Sequence, residues 1–202
     1  HMGIYAVKPL FQDILEPVAS WLADRDVDPT ALNLLALISS FNAALLLFLA
    51  TSTYWSLVIP VLVFIRIALN ALDGMVARLN DVEGQAWGEV LNETVDRFSD
   101  ALIFVGLALN PVVNTTLGLT SAVLVVLTSF VAVASKAAGG NRRYEGVMGK
   151  ADRMFIIGLL GVFIPFLGVA QPGIWALIIV SAGCIETVTH RLIVTHSELQ
   201  DG

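Results

Sequence analysis

The sequence has few residues that carry charge, form disulfides or bind soft metals. It contains one cysteine, Cys184, and three histidines among 202 residues. A single cysteine excludes a disulfide within the chain, and the paired His and Cys ligands typical of zinc sites are lacking. Charged residues make up only 14% of the chain, and the net charge is −6. Because surfaces that bind nucleic acid are basic, this balance argues against a nucleic-acid partner.

Long apolar runs dominate instead, and the mean hydropathy is +0.80. Six segments approach the roughly 20 residues that a membrane-spanning helix needs. They lie at about residues 30–51, 54–73, 98–113, 115–137, 153–170 and 173–194. The third is short, so we expect it to begin inside the charged stretch before it. The sequence therefore predicts an all-α integral membrane protein, with six transmembrane helices in one domain over residues 30–197.

Residues 3–29 are predicted to form an N-terminal helix and a linker. Leu10, Ile14, Val18 and Trp21 fall near one face, and most of the charged residues fall elsewhere. This pattern is typical of an amphipathic helix that lies in the membrane interface. The alternative is a soluble helix that packs on the core.

Basic residues are placed on only one side of the predicted membrane. The links near residues 51–54, 110–116 and 170–173 contain no Lys, Arg, Asp or Glu. By the positive-inside rule, both termini, the 70–100 stretch and the 138–152 loop are predicted to face the cytoplasm.

The 70–100 stretch is the most charged part of the chain. Glu89, Glu93, Asp96 and Asp100 follow the spacing i, i+4, i+7, i+11, which makes a narrow stripe on a helix. Four like charges on one stripe repel one another unless cations neutralise them. Oxygen ligands without His or Cys indicate a hard divalent ion such as Mg²⁺, Mn²⁺ or Ca²⁺.

The spacing Asp73-Gly74-x2-Ala77-Arg78-x9-Gly88-x3-Asn92-x3-Asp96 resembles the signature of the CDP-alcohol phosphotransferases. The family pattern is D-x2-D-G-x2-A-R-x8/9-G-x3-D-x3-D, and six of its eight fixed positions are met. The departures are Asn70 and Asn92, at the first and third aspartates. The chain looks closest to a bacterial branch that carries asparagine there.

The resemblance implies a role for each matching residue. Asp73 would be a metal ligand, and Asp96 would be both a ligand and the general base on the acceptor hydroxyl. Arg78 would clamp a phosphate. The small positions would form a floor for the cytidine of the donor; they are Gly74, Ala77 and Gly88.

The two asparagines lower the formal charge of the metal site. Each still offers a carbonyl oxygen, so Asn70 and Asn92 stay in the predicted ligand set. Glu93 and Asp100 flank Asp96 on the same stripe, and we predict that at least one of them, or Glu89, compensates as a ligand. The alternative is that these carboxylates face the cytosol or pair with Arg97.

Five basic residues are candidates for binding phosphate. Arg66 lies inside the second span and needs a partner there, either the acidic cluster or a lipid phosphate. The glycine-rich loop at 139–153 resembles the GKADR-type element of the family and suits the donor diphosphate or a phosphorylated acceptor. Attraction to anionic lipid is the alternative. The loop candidates are Arg142, Arg143, Lys150 and Arg153.

Together the resemblance implies a phospholipid-synthesis transferase of the bacterial inner membrane. It would move a phosphatidyl group from CDP-diacylglycerol, or a similar CDP-lipid, to a small and possibly phosphorylated alcohol, with release of CMP and with Mg²⁺ or Mn²⁺ as cofactor. Family members of this kind are commonly homodimers. The alternatives are a weak or inactive relative that binds a nucleotide lipid or metal, and a small transporter.

Overall fold

Seven α-helices follow one another in the computed structural model, which describes residues 8–51, 54–81 and 86–201 and shows no strand within them. A short 3-10 turn at Tyr54–Leu57 precedes the third helix. The helices are α1 (Lys8–Ala23), α2 (Pro29–Leu49), α3 (Val58–Leu79), α4 (Ala86–Ala108), α5 (Thr115–Ala137), α6 (Lys150–Leu167) and α7 (Ala170–Asp201).

Local sequence explains where several of these helices begin. At the start of α2 the Asp28 side chain accepts a hydrogen bond from the Thr30 amide at 2.8 Å, and Pro29 occupies the first turn. The Asn114 side chain accepts from the Leu117 amide at 2.9 Å at the start of α5. Both are N-caps, which satisfy amides that have no partner within the helix.

The all-helical class is confirmed, but the number of spans is confirmed only in part. In the described residues, four stretches are long and apolar enough to cross a membrane: Pro29–Leu49, Tyr54–Leu79, Thr115–Ala137 and Ala170–Gln200. Neither α4, which carries the acidic stripe, nor the 18-residue α6 is among them. Spanning by α4 and α6 therefore stays a prediction. The expectation that the third apolar segment begins inside the charged stretch is confirmed, since α4 is continuous from residue 86.

The core lies between helices that are neighbours in space. Helix α2 packs on α3 and α4, α5 packs on α4 and α7, and α6 packs on α3 and α7. Leu47, Ile59, Phe104 and Leu177 are fully buried in this core. Outside it, large apolar side chains stay exposed on the outward faces of the helices, as for Phe166 at 70%. Such a surface suits hydrocarbon as its surroundings.

Helix α1 uses two apolar faces. Ala19 is fully buried against α2 and α3, and the Phe11 ring meets Phe64 of α3 edge-on with ring centroids 5.9 Å apart. The predicted membrane-facing residues remain exposed, with Ile14 at 66% and Trp21 at 53%. The helix thus packs on the bundle and still presents an apolar stripe. Its position in the membrane interface stays a prediction.

One buried side chain links two connections at the uncharged end of the bundle. Asn110, after α4, donates its amide hydrogens to the carbonyls of Leu47, Phe48 and Ala50 at 2.8, 3.1 and 2.7 Å. These carbonyls lie at the C-terminus of α2, where the helix leaves acceptors without partners. Asn110 therefore joins the α2–α3 link to the α4–α5 link.

Candidate functional site

Each carboxylate of the α4 stripe has a basic partner from another part of the chain. Glu89 pairs with Lys136 of α5, and Glu93 pairs with Arg142 of the following loop as well as with Arg97. Asp96 and Asp100 pair with Lys150 and Arg153 of α6. The repulsion expected along the stripe is therefore balanced by the protein's own Lys and Arg side chains.

The deepest of these pairs is a buried triad. Asp100 accepts hydrogen bonds from Arg66 of α3 on one oxygen and from Arg153 of α6 on the other, the latter at 2.6 Å. All three side chains are at most 2% exposed. Because unpaired charges in such surroundings are costly, the triad joins α3, α4 and α6. Arg66 does meet the acidic cluster, as one of its two predicted partners. Both Asp100 oxygens are already used, which favours a counter-ion role over the ligand role predicted for it.

Three of the four motif positions come together at the charged ends of α3 and α4, and the fourth, Asn92, lies one helical turn before Asp96 on α4. The Asn70 amide donates to Asp96 Oδ1 at 3.1 Å. Asp73 is 4% exposed, accepts a hydrogen bond from the Gly74 amide, and interacts electrostatically with Asp96. In the described ranges, no three His, Cys, Asp or Glu side chains come together as a possible metal centre. Two carboxylates and two amides make up the site instead.

The side-chain carbonyl oxygens of Asn70 and Asn92 test whether this site fits a metal ion. Both oxygens are buried, and neither has a hydrogen-bond partner among the described residues. Buried acceptors almost always have a partner, so an open oxygen beside two carboxylates, with a second one helical turn away on α4, calls for a bound cation or donor. Hard divalent cations prefer such an all-oxygen set. The residues fit Mg²⁺ or Mn²⁺.

Asn33 of α2 is a neighbour of the site that sequence reasoning missed. Its side chain is 5% exposed and hydrogen-bonds to Asp73, while its carbonyl oxygen has no partner within the described ranges. The sequence signal for it was weak, because the first span also carries Ser39, Ser40 and Asn42.

The small residues predicted to bind the donor have open space beside their backbone. A Cβ added at Gly74 would meet only the end of the Arg78 side chain at 3.8 Å, and one added at Gly88 would meet nothing within 4 Å. Gly106 on the same helix as Gly88 is different, because its Cβ would lie 2.4 Å from the Ala44 carbonyl. Helix packing therefore explains Gly106 but not Gly74 or Gly88. The Ala77 side chain lies on α3 between Gly74 and Arg78.

The loop between α5 and α6 is fastened to the end of α7. Arg143 is 7% exposed and pairs with Glu198, and it hydrogen-bonds to Thr195 at 3.3 Å. Arg191 donates to the carbonyl of Glu145 at 2.9 Å. Burial raises the pKa of Glu145, but hydrogen bonds from backbone amides and the charge of Arg143 outweigh this effect, so the pKa lies below the ordinary glutamate value. The adjacent Arg142 turns the other way, to Glu93.

An apolar cavity of about 540 Å³ opens beside the motif residues. It runs between α3 and α6 and is bordered by Phe11 of α1. Asn70 and Lys150 are the polar residues in its wall, so the cavity ends at the site that holds Asp96. Its other lining residues are Pro60, Val63, Phe64, Ile67, Ala71, Ala151, Met154, Phe155, Gly158, Leu159 and Val162.

The structure brings some predicted residues together and separates others. Asn70, Asp73, Asp96 and Lys150 converge. Arg143 instead lies against α7 and pairs with Glu198.

This fold and this site define a polytopic helical membrane protein with a paired Asp and Asn centre at the charged end of its bundle. The profile of the CDP-alcohol phosphatidyltransferase family matches residues 29–189. The chain belongs to this family.

Comparisons with individual proteins agree with that assignment. The chain is 38% identical to the inner membrane protein YnbA of Escherichia coli over 161 residues, which is 80% of each chain. It is 30% identical over 203 residues to the phosphatidylinositol phosphate synthase of Corynebacterium glutamicum, covering 95% of this chain and 88% of the relative.

A solved structure has the same fold. The crystal structure of the Mycobacterium tuberculosis phosphatidylinositol phosphate synthase with bound CDP-DAG matches with a TM-score of 0.72 and 23% identity. The match covers 91% of this chain and 94% of that one. The same enzyme has also been solved in complex with manganese and citrate, with a TM-score of 0.71.

Proposed function

We propose that this protein transfers a phosphatidyl group from CDP-diacylglycerol to the hydroxyl of a small alcohol and releases CMP. The observation that carries the proposal is the unpartnered Asn70 oxygen beside the Asp73 and Asp96 carboxylates, together with the unpartnered Asn92 oxygen one helical turn before Asp96. This arrangement lies at the polar end of an apolar cavity. The site therefore suits a substrate with a charged head and hydrocarbon tails.

The apolar cavity supports a lipid-linked donor. Its lining is almost entirely hydrocarbon, from Phe11 at one border to Gly158 and Val162 of α6. A nucleotide with acyl chains would place the chains along α3 and α6 and the diphosphate near Asn70 and Lys150. Open space over Gly74 and Gly88 suits the close approach of the cytidine. A CDP-DAG complex of a relative with the same fold agrees with this donor.

Divalent cations would be held by oxygen atoms of Asp73, Asp96, Asn70 and Asn92. When bound, Mg²⁺ or Mn²⁺ would supply charge neutralisation at the donor's phosphates. Glu93 and Asp100 serve in this proposal as counter-ions, because each already pairs with two arginines. A relative solved with manganese supports the choice of ion.

Asp96 is the proposed general base. The acceptor oxygen forms a bond to the phosphorus that carries the diacylglycerol, and the bond from that phosphorus to the bridging oxygen of CMP breaks. The hydroxyl proton passes to Asp96, and CMP leaves with the bridging oxygen. A hydroxyl has a high pKa, so a carboxylate within reach removes the need to form a free alkoxide. Asp96 Oδ1 is engaged by Asn70 and Lys150, and Oδ2 is 3.7 Å from Arg97. We assign the proton transfer to Oδ2.

The proposed acceptor is a small alcohol that can carry a phosphate. Arg142 flanks the α4 stripe and is 29% exposed, so it is the cation best placed to meet an acceptor anion, while Lys150 lies nearer the donor's side at the cavity. Arg143 and Arg153 are buried on carboxylates and hold the loop and α6 in place. The phosphatidylinositol phosphate synthases among the relatives favour a phosphorylated acceptor.

We further propose six spans in a bacterial inner membrane, with the charged end and both termini in the cytoplasm. The links at the other end of the bundle, near Asn110 and Gly168, contain no charged residue. The predicted N-terminal element, residues 3–29, acts at the membrane interface, although residues 3–7 lie outside the described ranges, and residues 30–197 act as the catalytic domain. Two copies would associate through exposed apolar helix faces as a homodimer.

A second candidate is a weak or inactive relative that binds a nucleotide lipid or a metal ion. The observation that favours it is the shortage of acidic ligands, since the motif retains only the Asp73 and Asp96 carboxylates. A site with fewer negative charges binds divalent ions less tightly.

An assay of CMP release distinguishes the two candidates. Purified protein in detergent is incubated with CDP-diacylglycerol, Mg²⁺ or Mn²⁺, and a panel of alcohols with and without phosphate. The transferase releases CMP only when an acceptor is present, and Asp96→Ala abolishes the release while Glu89→Gln retains it. Tight CDP binding without CMP release for any acceptor would instead support the inactive relative.

A further inference from the structure

The Lys150 side chain is bound to Asp96, a carboxylate that a metal ion in the proposed site would need as a ligand. Lys150 is the first residue of α6, and its ammonium group reaches across to α4 and donates to Asp96 Oδ1. The same oxygen accepts the Asn70 amide at 3.1 Å. The side chain also lines the polar end of the apolar cavity. A protein cation therefore lies beside Asp96 and Asn70, two of the four oxygen-bearing residues of the proposed site.

An ammonium group and a divalent ion on one carboxylate repel each other strongly. Charges a few ångströms apart in partly buried surroundings are screened much less than in water. The other carboxylate pairs nearby do not raise this conflict, because Glu89 with Lys136 and Asp100 with Arg153 involve no motif ligand. Two cations contact the motif ligand Asp96. Arg97 lies 3.7 Å from Oδ2 and also pairs with Glu93, whereas Lys150 donates to Oδ1 and lines the cavity.

We propose that Lys150 and the divalent cation compete for Asp96, so that metal binding releases the lysine from this carboxylate. This inference rests on the metal site of the proposed function. It adds Lys150 as a residue that regulates metal binding at that site. Lys150 weakens metal binding, and the metal in turn frees a positive charge at the mouth of the cavity. By linkage, each cation lowers the affinity of Asp96 for the other by the same factor.

The released ammonium then faces the donor's side of the site. Lys150 and Asn70 are the polar residues of the cavity wall, so a free amine there meets the diphosphate of a lipid nucleotide. A strongly hydrated point charge on a flexible stem suits such an exchange between two anions. An arginine that is fixed by a buried carboxylate, as Arg153 is by Asp100, does not suit such an exchange. Metal binding thus prepares the site for the donor.

Manganese affinity tests the competition without reference to turnover. The full chain in detergent is titrated with Mn²⁺, and free Mn²⁺ is measured by electron paramagnetic resonance for the parent, Lys150→Met and Lys150→Gln. We expect both variants to bind Mn²⁺ at least about fivefold more tightly, which is the lower end of typical coupling between sites. Lys136→Met is the matched control, because it removes the same charge from an exposed pair with Glu89. Its affinity for Mn²⁺ should equal that of the parent.

Amine labelling tests the release on the unaltered chain. The protein has three lysines, Lys8, Lys136 and Lys150, so each labelled peptide is distinguishable by mass spectrometry. Acetylation of Lys150 should become faster when Mn²⁺ is added without donor, while the rate at Lys136 stays constant. This measurement is independent of how well the variants fold.

Three results would overturn the inference in different ways. If the parent binds Mn²⁺ and the two Lys150 variants bind it equally or more weakly, the competition is refuted and the metal site stands. If neither the parent nor any of the variants binds Mn²⁺, the metal site of the proposed function is refuted as well. Unchanged or slower labelling of Lys150 with Mn²⁺ bound also refutes the release.

Discussion

Asp100 Oδ2 on α4 and the Arg153 guanidinium on α6 are 2.6 Å apart in the interior of the bundle, where each side chain is 2% exposed. The other oxygen of Asp100 is bound by Arg66 of α3. This contact gives the charged stretch of α4 a structural function alongside the proposed chemical one. It also gives Asp100 a role different from the one proposed for Asp96, although both residues lie on the same stripe of α4.

Replacing Asp100 with asparagine should lower stability and leave metal binding in place. Two buried guanidinium groups would lose their counter-ion, and breaking a buried ion pair costs about 3–5 kcal/mol. We expect a lower thermal unfolding temperature in detergent and an Mn²⁺ affinity close to that of the parent. Glu89→Gln breaks an exposed pair with Lys136 and should change stability by less than about 1 kcal/mol. A stable Asp100→Asn protein that no longer binds Mn²⁺ would identify Asp100 as a ligand.

Restoring an aspartate of the family motif should tighten metal binding. In Asn92→Asp a carboxylate replaces an amide whose oxygen is buried without a partner, so the substitution adds negative charge at the proposed site. We expect about tenfold tighter Mn²⁺ binding, since charge count tunes affinity in all-oxygen sites. The readout is the same resonance titration. An equal affinity in Asn92→Asp and the parent would exclude Asn92 from the metal's ligands.

Asn70→Asp offers a contrasting variant at the other departure. The Asn70 amide donates to Asp96, so the substitution replaces a hydrogen bond with two facing carboxylates. We expect this protein to be less stable than the parent without divalent ions and to regain stability when Mn²⁺ is added. Thermal unfolding with and without Mn²⁺ measures the difference. Equal unfolding temperatures under both conditions would contradict the prediction.

Filling the apolar cavity should impair use of the lipid donor. Gly158 lines the cavity, and a Cβ there would make an ordinary contact with Val63 at 3.5 Å, so larger side chains extend into the open space. Gly158→Leu should raise the KM for long-chain CDP-diacylglycerol about three- to tenfold, equivalent to roughly 1 kcal/mol of binding. The KM for a donor with short acyl chains should change less. Gly158→Ala is the graded control, and an equal KM increase for both donors would place the acyl chains elsewhere.

Removing Asn110 should destabilise the bundle without affecting the site. Its side chain is 1% exposed and donates to three carbonyls at the C-terminal end of α2. Asn110→Ala removes the donor to the buried Ala50 carbonyl, at about 1–3 kcal/mol, while the Leu47 carbonyl keeps the Ala50 amide at 3.4 Å. Asn42→Ala is the matched control, because Asn42 is exposed and donates only within its own helix, to Ile38. Thermal unfolding should separate the two variants, while both retain the Mn²⁺ affinity of the parent.

Sequence patterns predicted the helices closely because hydrophobic runs and turn residues act locally. The apolar segment at 115–137 is α5, and the break before Pro29 is the start of α2. Charged residues were harder to assign. The stripe from Glu89 to Asp100 predicted cations beside it, but not that these would be Lys136, Arg142, Lys150 and Arg153 of the protein itself. Pairs separated by about 50 residues leave no periodic signal in either segment.

By itself, the sequence determined the helical class, the helix order, the concentration of charge at one end and the family motif around Asp73 and Asp96, because each of these depends on short-range spacing. Only the tertiary structure decided which charges meet. Packing α3 and α4 on α2, and α6 on α3, buries Asp100 between two arginines and leaves the Asn70 and Asn92 oxygens open. The physical reason is that burial and partner choice depend on which helix faces touch, and those contacts join residues far apart in the chain.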